Sequence, residues 1–134
     1  MLKDIPQPKV EDLVVAIMPP ENGDENDLWD VVILNLHEYP ILSVLVTARG
    51  YGELDGEQRK TTTLRYFIEE IGPMRDHLLE PIQPECFQLT NEFWISFSLG
   101  NHLYDKKYIF VRGSIDPDNF TTVPFLNRKG VMIR

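Results

Sequence analysis

The stretch Phe93-Trp94-Ile95-Ser96-Phe97-Ser98-Leu99-Gly100-Asn101-His102, continuing through Tyr104 to Arg112, decides the fold. Phe93, Ile95, Phe97 and Leu99 alternate with Trp94, Ser96 and Ser98, and a period of two places the two sets on opposite faces of a strand. Gly100-Asn101-His102 carries turn chemistry, and Tyr104 to Arg112 resumes as a second strand rich in aromatic and β-branched residues. The stretch therefore reads as a long antiparallel hairpin with one apolar face, which the rest of the chain must cover.

Working outward, Leu13 to Met18 is a short apolar run stopped by Pro19-Pro20, the pattern of a strand buried on both faces. Leu28 to His37 alternates as well, with Trp29, Val31 and Ile33 on one side and Val32, Leu34 and Leu36 on the other. Glu38-Tyr39-Pro40 is a turn, and Ile41 to Ala48 is a third strand, so the three are expected to form an antiparallel meander. Arg49 to Glu57 contains three glycines and is expected to leave the strand and turn around Asp55-Gly56. Lys60 to Leu64 has strand character. Leu64, Phe67, Ile68 and Ile71 sit at helical spacing, yet Leu64, Tyr66 and Ile68 also fit a strand. Gly72-Pro73 ends the segment either way. Residues 74–81 fit one helical turn or another strand, and Cys86 to Leu89 reads as a short strand before a turn at Thr90-Asn91. Ser114 to Phe120 is a loop, Val131 to Ile133 a terminal strand, and Met1 to Pro8 an extended lead-in. The expected fold is mainly β, an antiparallel two-layer β-sandwich over residues 1–134 as one domain. The alternative is α+β, with one short helix near 64–71.

The totals agree with a globular domain: 134 residues, 43% hydrophobic and 25% charged. No apolar run approaches the roughly 18–20 residues of a membrane span, and the N-terminus lacks the basic-then-apolar pattern of a signal peptide. One cysteine, Cys86, excludes an internal disulfide framework. These features point to the cytoplasm and to no membrane association. The net charge of -8 opposes contact with phosphate backbones, so nucleic acid is disfavoured as a partner.

Motifs that carry chemistry are sparse. Gly50-Tyr51-Gly52 lacks both the Walker spacing and the dinucleotide fingerprint. Glu21 to Asp30 holds five carboxylates in ten residues, without the order of a calcium loop, and reads as a solvated loop. His37, His77 and His102 are far apart and no second cysteine accompanies Cys86, so no zinc site assembles from sequence neighbours. Cys86, between Pro84 and Phe87, is expected to be a buried, inert thiol. No Gly-x-Ser-x-Gly elbow is present. No catalytic, metal or cofactor-binding residue is assigned, and no cofactor is expected.

Basic residues gather in three places, Arg59, Lys60 and Arg65, then Lys106, Lys107 and Arg112, then Arg128, Lys129 and Arg134, interleaved with Tyr51, Tyr66, Tyr104 and Tyr108. Loops carry function more often than the scaffold presenting them. The expected interaction surface is Arg49, Tyr51, Lys60, Arg65, His102, Lys106 and Lys107. The leading expectation is an accessory or protein-interaction domain without catalytic activity, its partner another protein or a second copy. An RNA-associated factor is the first alternative, because basic side chains interleaved with aromatics suit single strands. A small enzyme using His37 or His102 with a nearby carboxylate is the second.

The order Arg49-Gly50-Tyr51-Gly52-Glu53, Lys60-Thr61-Thr62-Thr63-Leu64-Arg65-Tyr66-Phe67, Asn91-Glu92-Phe93-Trp94 and Tyr104-Asp105-Lys106-Lys107-Tyr108-Ile109-Phe110 recurs in a known pattern. With Pro124 to Ile133, it resembles a family of small uncharacterised bacterial proteins that sometimes carry a phenylalanyl-tRNA synthetase-related label. The resemblance spans nearly the whole chain and implies a link to translation. It brings no catalytic or binding residue with it. The motif arginines and ATP site of a class II synthetase core have no counterpart here. The synthetase's small anticodon-binding module needs two amphipathic helices, and this sequence offers at most one.

Overall fold

The structure is a computed structural model that describes residues 10–24 and 27–134. The lead-in Met1 to Pro8, and Glu25 and Asn26 of the acidic loop, lie outside the described residues. Along the described chain the strands are β1 Leu13–Met18, β2 Asp30–Asn35, β3 Ile41–Leu54, β4 Glu57–Lys60 and β5 Leu64–Ile71. They continue as β6 Arg75–Leu78, β7 Thr90–Leu99, β8 His102–Phe110, β9 Thr121–Val123 and β10 Arg128–Ile133.

All six side chains of β1 are fully buried, which requires cover on both faces and neighbours on both edges. β1 is the middle strand of a sheet ordered β6-β2-β1-β10-β9, with Val15 opposite Ile33 on one side and Ile133 on the other. In the second, larger sheet β3 is central. On one edge it pairs β7, which in turn pairs β8, and on the other it pairs β5 along its first half and β4 along its second. Both sheets are antiparallel and pack face to face as a β-sandwich, so the mainly-β expectation holds. The core between them unites Val15, Ile17 and Ile33 with Val44, Val46, Ile95, Phe97 and Phe110. Tyr108 is buried there and donates its hydroxyl to the Leu13 carbonyl at 2.7 Å, tying β8 to β1. A smaller cluster of Val14, Ala16, Met18, Val32, Leu34 and Val123 occupies the other face of the first sheet.

Several expectations are corrected. β1, β2 and β3 do not form one meander, because β3 crosses into the larger sheet after Pro40. Asn35 explains the corner. Fully buried, it donates from Nδ2 to the carbonyls of Tyr39, Ile71 and Gly72 at 3.0–3.1 Å, which joins the end of β2 to the start of β3 and the end of β5. The alternative helix near 64–71 is a strand, paired with β3 from Ala48↔Leu64 to Ile41↔Ile71. β3 does not stop at Ala48 but runs on to Leu54, and the turn at Asp55-Gly56 has both residues at positive φ, 54° and 79°. Cys86 to Leu89 is not a strand. Pro84–Gln88 forms a 3₁₀ turn, with the Cys86 N–H donating to the Gln83 carbonyl at 2.9 Å, and Thr90-Asn91 opens β7 instead of turning.

Candidate functional site

The inner face of the larger sheet fills the core, and among the described residues nothing covers its outer face. Strand register sets which outward side chains meet. One row across the sheet runs Arg65, Thr47, Trp94, Lys107, and the next runs Phe67, Leu45, Ser96, Asp105. Phe67, Leu45 and Trp94 remain 62%, 52% and 45% exposed, so these adjacent rows form an uncovered apolar strip on a sheet. Lone exposed apolar residues need no explanation, but contiguous ones do.

The strip is framed by charge. The Lys107 ammonium lies 4.7 Å from the Trp94 ring centroid, and the indole N–H donates to Asp105 Oδ2 at 3.4 Å. One row further, Arg49 Nε donates to Glu92 Oε2 at 3.0 Å, and its guanidinium stands 5.3 Å from the Tyr51 ring centroid. Tyr51 also donates its hydroxyl to Glu92 Oε1 at 3.4 Å. The Glu92 side chain is only 6% exposed, so a buried carboxylate holds both residues in place.

The structure divides the residues expected from sequence. Arg49, Tyr51 and Lys60 line one shallow depression of about 310 Å³, with Gly50, Thr61 and Thr63. Arg65 and Lys107 belong to the Trp94 row. Lys106 sits opposite the inward-facing Ile95 and reaches across the sandwich edge, donating to the Val10 carbonyl at 3.2 Å. His102 pairs with Leu99, five positions from Trp94 along the strand, or about 17 Å at strand rise. Five expected residues thus gather on the outer side, and His102 and Lys106 do not. Trp94, Phe67 and Leu45 were absent from the expected set. The signal for Trp94 was its alternation with Ser96 and Ser98 on the face away from Phe93 and Ile95.

A second concavity opens between the sheets where β4 gives way to β5. There Thr61 to Thr63 leave the ladder, and the Gly50 N–H donates to Thr61 Oγ1 at 2.8 Å. This cleft, of about 490 Å³, is lined by apolar groups including Val31, Ala48, Leu64 and Ile82. Tyr66 donates to Glu80 Oε2 at 3.1 Å. Burial, and then the bond to Glu80, push the Tyr66 phenol up to about 12, so it stays protonated at neutral pH. Cys86 also borders the cleft and is half-buried. Burial, and then Glu85, push its thiol up, away from the reactive thiolate.

No histidine lines either concavity. His37 holds Asn35 Oδ1 at 2.8 Å from its Nδ1, His77 lies opposite Ile33, and His102 is at the hairpin end. Among the described residues no group of three or more His, Cys, Asp or Glu is placed to hold a metal ion. In the acidic loop Arg128 pairs with Glu21 at 3.3 Å and with Asp30 at 3.0 Å. Among the described residues no helix is long and apolar enough to cross a membrane. No family model, curated protein or solved structure matches the chain.

Proposed function

We propose that this chain is a non-catalytic accessory domain of the cytoplasm that docks a partner protein on the outer face of its larger sheet. The observation that carries the proposal is the exposed strip Phe67, Leu45 and Trp94 in two adjacent rows, bordered by Arg65 and Lys107. An apolar centre with an aromatic anchor and a charged rim is the composition of protein interfaces. The two bordering cations favour a partner surface that carries carboxylates around an apolar patch. A single half-buried thiol suits the reducing cytoplasm.

Nucleic acid is the lesser reading for a physical reason. Lys107 occupies one face of the Trp94 ring, where a base would stack, and Asp105 accepts from its indole N–H. Glu69, Glu70 and Asp105 on the same sheet add to an overall charge of -8, which repels phosphates. Capture of partners from lysate of the source cells, with and without nuclease, separates the readings. A nuclease-resistant protein recovered near one-to-one supports the docking domain. Loss of every partner after nuclease would overturn it and favour the link to translation that the sequence resemblance implies.

A further inference from the structure

A sheet edge is a template for another strand, and proteins protect such edges with charge, brevity or cover. The larger sheet has two long edges, β5 and β8. Among the described strands, β5 pairs only with β3 and β8 only with β7.

We propose that two copies of this chain join edge to edge through β5, antiparallel, about a two-fold axis at Phe67. Arg65 and Phe67 face outward on the middle of β5, Tyr66 and Ile68 face inward, and Glu69, two positions beyond Phe67, is exposed where the strand begins to kink. Reversing this segment against itself, with Phe67 opposite Phe67, sets Arg65 opposite Glu69 of the second copy, twice. On the inner face it sets Tyr66 opposite Ile68. Aromatic with aromatic, aromatic with β-branched and cation with anion are the favourable cross-strand pairs, and here one register supplies all three. Moving the axis to Tyr66 or Ile68 sets Phe67 against Arg65 or Glu69 and loses both charge pairs. An isologous contact needs a self-complementary patch, and the order Arg-x-Phe-x-Glu is one.

β8 shows the contrast. Its middle is Asp105, Lys106 and Lys107, so a two-fold axis at any of the three sets identical charges opposite each other. Lys106 also crosses that edge to reach Val10. β4 is a four-residue strand of exposed polar and charged side chains. β5 is eight residues long and carries Phe67 62% exposed. Joining two copies here extends the sheet and brings the two outer faces side by side. The proposal goes beyond the docking reading, since it uses the edge of the sheet and stands whether or not the face has a partner.

The test is the mass of the full chain in solution by sedimentation over a dilution series. Wild type is expected to be dimeric. Arg65→Glu and Glu69→Arg, each setting like charges opposite, are expected to weaken the dimer at least about tenfold with melting temperatures near wild type. The double swap R65E/E69R restores opposite charges and is expected to restore the dimer. Phe67→Lys, at an exposed position, serves as a further disrupting variant should a reversal fail to fold. A monomeric wild type, a dimer indifferent to the single reversals, or a double swap as weak as either single would overturn the proposal. Trp94→Ser, two strands from the edge, is expected to leave the dimer intact, so failure of edge pairing and failure of face docking are read separately.

Discussion

Lys107 holds its ammonium 4.7 Å from the centroid of the Trp94 ring, directly across the β7–β8 ladder on the open face of the larger sheet. The ring is fixed by this contact and by the hydrogen bond to Asp105, so its side chain loses little freedom when a partner covers it. The other tryptophan, Trp29, is buried against Phe87 and Phe120.

Iodide should therefore quench only part of the tryptophan fluorescence, the part from Trp94. Lys107→Met removes the adjacent cation that attracts the anion. Quenching is expected to fall while the melting temperature changes little, since an exposed cation–aromatic contact contributes about 0.5–1 kcal/mol. Quenching unchanged by this substitution would contradict the arrangement.

Asn35 links both sheets by donating to Tyr39, Ile71 and Gly72, while its Oδ1 accepts from the His37 N–H at 3.0 Å. Asn35→Ala strands these groups without partners in a fully buried site. Chemical denaturation should show a loss of about 2–3 kcal/mol. A loss below about 0.5 kcal/mol, the usual surface value, would show that the corner does not depend on Asn35.

Gly130 lies where β10 passes β1. A Cβ there would overlap the Ile17 carbonyl oxygen and come within 2.7 Å of Met18 Cγ. Backbone cannot yield as a side chain can, so Gly130→Ala is expected to cost about 2–4 kcal/mol. By contrast, nothing lies within 4 Å of a Cβ at Gly100, where the positive φ of 61° is the only cost, so Gly100→Asn should be nearly neutral. Equal losses at the two sites in thermal melts would contradict this contrast.

Burial lowers the pKa of His37 below 6.5, and the charge of Asp12 only partly offsets it. Between 6.5 and that lowered value the unfolded chain binds more protons than the folded one. Stability therefore falls as pH drops through this window and is unaffected by His37 above it. His37→Phe should flatten that part of the melting-temperature profile, and an unchanged slope would show that His37 does not titrate there.

β1 and the β7–β8 hairpin were legible because their patterns are unbroken: six apolar residues in Leu13–Met18, and strict alternation from Phe93 to Leu99. The segment 64–71 was not, for a reason visible in its neighbour. Ser43 takes a positive φ of 50° at a bulge between Leu42 and Leu45, which breaks the alternation of β3 so that Ile41 and Val44 both face inward. β5 follows the same kink, and Ile68 and Ile71 both point to the core although three positions apart. That spacing imitates a helix. The switch of β3 into the other sheet depends on the contacts of Asn35, residues 36 and 37 positions away in sequence, which no local pattern contains. At the site, charge clustering found Arg49, Tyr51, Lys60, Arg65 and Lys107. It passed over Phe67 and Leu45, because exposure of an apolar side chain depends on which face the second sheet covers.

The most direct test of the docking face compares three immobilised baits in one lysate. They are wild type, the face variant Trp94→Ser with Leu45→Ser, which leaves the β5 edge untouched, and the control His102→Ala with Lys106→Ala, all checked for equal melting. The face variant is expected to lose the stoichiometric partner that wild type and the control both retain. Retention by the face variant, or loss by the control alone, would contradict the assignment of the outer sheet face as the docking surface.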